Sequence, residues 1–256
     1  DPSYYIERVY EKMPAGGSRL VSYQKIEGAL TPISIEIQYN DADGRVTVID
    51  RSQNAAAPST TVNFWEYRLT DGNHRGDLLA VGEKNSANGQ VLSRMDITAT
   101  TYRITYPPST KLLVFERLEN GGFGRVLRFR DTGIDLEYVY AMDAATGAET
   151  MTILDYTKNT FIKMSFIEGA APDASSGLID SPQNILEAGT FTLTGTTPQY
   201  KKLLEKVQGE WVVTDPNDGR VFDVYSTLPS DDWGTLVRSR GPPYPGAPTI
   251  VDIRYE

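Results

Sequence analysis

The sequence predicts a mainly β, α+β protein: a strongly curved antiparallel sheet of about ten to twelve strands, open or closed as a barrel. Three observations predict it. Apolar and polar residues alternate over most of the chain, the pattern of a sheet with one buried and one wet face. Glycine-bearing turns interrupt that alternation about every ten residues, the spacing of hairpins. Reactive side chains are scarce, with one histidine, His74, and no cysteine in 256 residues.

The first element departs from the pattern. Asp1-Pro2 has the form of an N-cap followed by a first-turn proline, and Ile6, Val9, Tyr10 and Met13 follow at helical spacing. Pro14 and Gly16-Gly17 then stop the run, which predicts an amphipathic N-terminal helix. Beyond it the period falls to two. Ile33, Ile35, Ile37 and Tyr39 alternate with polar residues, Asp41-Ala42-Asp43-Gly44 turns, and Arg45 to Ile49 returns. Turns at Asn88-Gly89, Asn120-Gly121-Gly122, Thr146-Gly147 and Asn217-Asp218-Gly219 repeat this chemistry. Connections so short leave only antiparallel neighbours, because a parallel pair needs a long crossover.

Strands are expected at 62–69, 78–83, 91–97, 102–106, 112–118, 126–129, 134–142, 151–156 and 161–167. The segment 168–189 turns to Gly, Ala, Pro, Ser and Asp and is expected to form a helical or irregular lid, with a helical turn at 182–188. A strand at 191–193 precedes a short helix at 198–208, where Leu203, Leu204 and Val207 fall on one side. The last strands are expected at 211–214, 221–225, 236–238 and 249–255. The expected organisation is a β domain over 1–195 and a C-terminal extension over 196–256, either a separate small domain or part of the same one.

Composition excludes several chemistries. A net charge of −9 argues against nucleic acid, whose phosphates require a basic face. No stretch offers the roughly 20 apolar residues of a membrane helix. The start at Asp1-Pro2 is read as a processed end, consistent with an export signal removed and a periplasmic or cell-surface location. The absence of cysteine removes disulfides, thiol nucleophiles and Cys-ligated zinc. Neither a cofactor nor a metal is expected. Asp41 to Gly44 and Asp215 to Gly219 offer oxygens beside a glycine, yet lack the remaining ligands of a calcium loop.

The order of an N-terminal helix, a long meander, the hairpin Tyr138-Val139-Tyr140-Ala141-Met142-Asp143-Ala144-Ala145-Thr146-Gly147, the run Ile153 to Tyr156, Lys163 to Phe166, and the strand Gly189 to Thr194 resembles the lipoprotein-carrier fold of bacterial envelopes. The resemblance covers about residues 1–195 and rests on an Asp-x-x-Thr-Gly turn. It implies a half-barrel with a hydrophobic cavity under helices or loops, and it supplies no catalytic residue.

Alternating aromatics supply candidate cavity residues: Trp65, Tyr67, Tyr102, Ile104, Tyr106, Tyr138 and Tyr140, with Leu178 and Ile185 in the lid. Arg128 and Arg130 share a strand face and are candidates for a rim that holds an acidic headgroup. The expected function is non-catalytic binding or transport of a hydrophobic ligand such as a lipid, an acyl chain or a lipoprotein, with an envelope protein as a possible partner. Two alternatives stand beside it. One is a structural or regulatory interaction domain with an exposed apolar patch. The other is a hydrolase, acting on a carbohydrate, that uses two carboxylates or a tyrosine acid in a cleft, with a solvent-reachable acidic pair of raised pKa values.

Overall fold

A computed structural model describes residues 4–28, 31–52, 60–70, 74–142, 144, 147–165, 185–208, 210–214, 222–227, 233–241 and 251–254. Among them the chain is β throughout, with no helix. The chain forms two compact units, Asp1–Thr132 and Gly133–Glu256. Residues 195 and 196 lie in a tight turn between two strands of the second unit, where Gly195 has φ 64°.

The first unit carries β1 (Tyr4–Lys12), β2 (Ser18–Glu27), β3 (Ile33–Asn40), β4 (Arg45–Asp50), β5 (Thr61–Thr70), β6 (His74–Asn85), β7 (Val91–Ile97), β8 (Thr101–Thr105), β9 (Leu112–Arg117) and β10 (Phe123–Asp131). The second carries β11 (Ile134–Met142), β12 (Glu149–Asp155), β13 (Thr160–Ser165), β14 (Ile185–Thr194), β15 (Thr197–Val207), β16 (Glu210–Thr214), β17 (Phe222–Thr227), β18 (Trp233–Gly241) and β19 (Val251–Arg254). Within each unit every strand pairs antiparallel with the next in sequence. The sheet is not closed among the described residues.

Two expected helices are strands. Residues 4–12 form β1, paired with β2 from Tyr4↔Glu27 to Lys12↔Ser18. The residues that gave a helical period, Ile6, Val9 and Tyr10, are also good strand formers, and the neighbouring strand supplies the deciding hydrogen bonds. Gly16 and Gly17, at φ 92° and 85°, close the hairpin, and the Gly16 amide donates to the Met13 carbonyl at 3.1 Å. A helix stop and a hairpin turn share this sequence because both need positive φ. Residues 197–207 form β15, held on both sides by β14 and β16. The helical turn expected at 182–188 is contradicted from Ile185 onward, where the chain is already in β14; its first residues and most of the expected lid lie outside the described residues.

Each unit has a small core on one face. In the first, Ile49, Val62 and Phe64 pack with Val91. In the second, Leu154, Phe161 and Phe191 pack with Tyr156. Burying each such side chain contributes about 1.5–3 kcal/mol. Cover is thinner elsewhere: every residue of β7 is half-buried, with no alternation between a sealed and a wet face. A strand of that kind presents neither face fully to a core.

Candidate binding groove on the first unit

Register places an apolar row across the first unit. Ile37, Val48, Trp65, Val81, Met95, Ile104, Leu113 and Phe129 stand directly opposite one another from β3 to β10. Cross-strand partners point to the same face, so these side chains form one stripe. A groove of about 620 Å³ opens over β5 to β8, lined by Asn63, Phe64, Trp65, Val81, Gly82, Glu83, Leu92, Ser93, Arg94, Met95, Ile104 and Tyr106. The apolar stripe supplies its greasy part. Asn63, Glu83 and Ser93, which are cross-strand partners in the adjoining row, supply a polar edge.

The sequence-derived candidates divide. Trp65, Ile104 and Tyr106 line the groove. Tyr67 and Tyr102 sit on the same face, two residues further along their strands, and are not among the lining residues. Tyr102 is 6% exposed, its hydroxyl donates to the Gly121 carbonyl at 2.5 Å, and its ring lies 4.5 Å from that of Phe123. These contacts make it a packing residue at the β9–β10 turn. Tyr138 and Tyr140 belong to β11 of the second unit, opposite Ile153 and Met151. Burial pushes the Tyr138 phenol upward. Ile185 opposite Met164 is a strand residue, so its place in a lid is corrected. Leu178 lies outside the described residues.

The arginine rim also needs correction. Arg128 and Arg130 are opposite Val114 and Leu112, whereas Phe129 is opposite Leu113 in the apolar stripe. The period of two therefore sends both arginines to the face away from the groove. Arg130 donates from Nε to the Thr110 carbonyl at 3.3 Å.

The face opposite the apolar stripe carries a network that sequence reading missed, and it meets the groove at Arg94. Arg45 donates from Nη1 to Glu66 Oε1 at 2.6 Å. Arg94 grips both Glu66 oxygens, at 3.1 and 3.2 Å, and donates from Nε to Asp96 at 2.6 Å. Burial alone would raise the Glu66 pKa, but the hydrogen bonds and charges of Arg94 and Arg45 outweigh it and hold the carboxyl below its ordinary value. Nearby, Arg51 pairs with Glu36. Lys84, pushed downward by burial, stands 4.9 Å from the Phe64 ring. No local motif announces this network, because Arg45, Glu66 and Arg94 meet only through the β4–β7 register.

These electrostatics bear on catalysis. Among the described residues the carboxylates with a resolved shift are Glu36, Asp41 and Glu66, and all three move down. A glycosidase-type general acid requires a shift the other way. Among the described residues no group of His, Asp and Glu is placed to hold a metal ion. The Asp41 to Gly44 loop is a turn with occupied carboxylates: Asp41 accepts from Arg19 at 2.7 Å, and Asp43 accepts from the Asn40 amide group at 2.6 Å. The second candidate loop, Asp215 to Gly219, lies outside the described residues. His74 opens β6 opposite Thr70. No helix among the described residues is long and apolar enough to cross a membrane.

No family model and no curated protein matches the chain. Among solved structures, a protein of Bacteroides fragilis provisionally described as a 6-phosphogluconolactonase is 8% identical, with 99% of this chain and 82% of that one covered. The TM-score of 0.18 is too low for that likeness to carry an argument.

Proposed function

We propose that the chain is a non-catalytic binding protein whose groove over β5 to β8 takes a hydrophobic ligand with an extended apolar body, such as an acyl chain of a lipid or lipoprotein. One observation carries this reading: Trp65, Val81, Met95 and Ile104 form a continuous apolar row on the floor of an open groove of about 620 Å³. Such a groove gains affinity from area removed from water, at about 25 cal/mol per Å². The polar edge of Asn63, Glu83 and Ser93 suits an uncharged or hydrogen-bonding headgroup; the carboxylate of Glu83 disfavours an anionic one. A periplasmic or cell-surface setting would bring such chains within reach.

The reading is tested by native mass spectrometry and titration with a long-chain alcohol or monoacylglycerol. Saturable binding is expected, with loss of roughly tenfold or more in affinity for Ile104→Glu, since one charge desolvated without a partner costs several kcal/mol. Equal binding by the wild type and this variant, or no binding by the wild type, rejects the assignment.

A second reading is favoured by the length of the apolar row. It runs past the groove to Ile37 and Phe129, both half-buried, as a surface for protein interaction would. Sedimentation in the presence and absence of the lipid separates the two: ligand binding leaves the mass of the particle unchanged apart from the ligand, whereas a protein surface self-associates or recruits a second chain.

A further inference from the structure

The second unit carries an independent cluster on the face opposite Tyr138 and Tyr140. Glu137, Leu154, Phe161, Gly189 and Lys202 stand in register from β11 to β15. Leu154, Phe161 and Phe191 form a floor that is 1%, 3% and 2% exposed. Tyr156, following β12, donates its hydroxyl to Glu137 Oε2 at 2.5 Å, and its ring meets Phe191 edge-on at 5.4 Å. From β15, Tyr200 meets Phe161 edge-on at 4.8 Å, although β14 lies between them. Gly189 stands directly opposite Phe161, where the backbone at Lys201 approaches too closely for a side chain.

We infer that Glu137, Tyr156 and Tyr200, over this phenylalanine floor, form an aromatic site for an organic cation: a quaternary ammonium group or the alkylated ammonium of a lysine side chain. Aromatic faces carry negative electrostatic potential, and a carboxylate beside them fixes the charge. Among the described residues Glu137 pairs with no cation and accepts from the Tyr156 hydroxyl. Lys202, in the same row, is already committed to Glu187 and Glu205 at 3.0 and 2.7 Å. Tyr200 is 50% exposed, so its ring is reachable from solvent. Burial first and the charge of Glu137 second raise the Tyr200 phenol, which keeps it neutral and leaves one negative charge in the site.

The test compares choline with its neutral isostere 3,3-dimethylbutanol, by titration followed in the NMR spectrum of the intact chain. Choline is expected to shift the amides of β11 and β15 saturably, with the isostere at least tenfold weaker. Glu137→Gln should weaken choline by roughly tenfold, and Tyr200→Ala by a similar factor, while Tyr200→Phe keeps most of the affinity. Circular dichroism confirms that each variant is folded. Equal affinity for choline and the isostere, an unaltered Glu137→Gln variant, or no saturable shift with choline overturns the inference. None of these outcomes touches the acyl-chain reading of the first unit.

Discussion

The two units solve one packing problem with the same cross-strand row and finish it differently. In the first, Phe64, Gly82 and Arg94 are successive partners on β5, β6 and β7. In the second, Phe161, Gly189 and Lys202 are successive partners on β13, β14 and β15. Each row reads aromatic, glycine, cation, and each cation is tied to two carboxylates. In the first unit the Phe64 ring lies over the glycine, and the cation is an arginine with 24% of its side chain exposed, forked onto Glu66. In the second the aromatic reaches across to Tyr200, and the cation is a lysine 43% exposed. An arginine fork can be half-buried because its planar donors match a carboxylate, whereas an ammonium stays wetter. The lesson is that the glycine lets the next strand's backbone come close, and the exposure of the aromatic and the cation beside it decides whether the row becomes core or site.

The comparison breaks most sharply at the glycines. A Cβ on Gly82 would stand 2.1 Å from the Ser93 carbonyl and 2.8 Å from the Phe64 ring; on Gly189 it would stand 2.1 Å from the Lys201 carbonyl. Both contacts are with backbone, which gives little. Gly82→Val should therefore destabilise the chain by roughly 3 kcal/mol or more, and Gly189→Val by a comparable amount, in urea unfolding. A loss below about 1 kcal/mol at either position would remove the close approach from the account.

Next come the aromatics. Phe64→Ala is expected to cost about 3–4 kcal/mol, because it empties the Ile49–Val62 cluster and uncovers Gly82. Phe161→Ala should cost about as much and should also weaken the cation site, since Tyr200 loses the ring it leans on. The paired measurement sharpens the contrast between a ring used for cover and a ring used as a wall.

The charged partners follow. Glu66→Gln should cost roughly 2–3 kcal/mol, as the half-buried Arg94 and the exposed Arg45 lose their shared, largely buried anion. Because the folded Glu66 pKa is lowered, its stabilisation is fully present above the ordinary glutamate value of 4.5 and is lost as pH falls through the lower folded value. Acid unfolding of the wild type should show this slope, and Glu66→Gln should lack it. Glu187→Gln in the second unit should cost only about 0–1 kcal/mol, the range of a solvated ion pair, and double-mutant cycles with Lys202 would measure it.

Much of this is legible in the sequence. Apolar–polar alternation marks many of the strands between Val62 and Ser165, and the asparagine–glycine turns at 88–89 and 120–121 mark two hairpins. The misread elements are instructive. Ile6, Val9, Tyr10 and Leu203, Leu204, Val207 fit a helix by spacing, and only a neighbouring strand's hydrogen bonds decide otherwise. For the groove, Trp65, Ile104 and Tyr106 were visible as aromatic or β-branched residues on alternate positions. Val81 and Met95 were not, because they join that row through register alone. The same period of two that selected Arg128 and Arg130 as a pair places them behind the sheet, once Phe129 is assigned to the stripe.

The most direct test of the groove is tryptophan quenching by a long-chain alcohol or monoacylglycerol brominated along its apolar chain. Saturable quenching is expected, and the part of it that belongs to the groove disappears in Trp65→Phe. Quenching of undiminished amplitude in Trp65→Phe, or none in the wild type at saturating ligand, would contradict an acyl chain lying on the β5–β8 face.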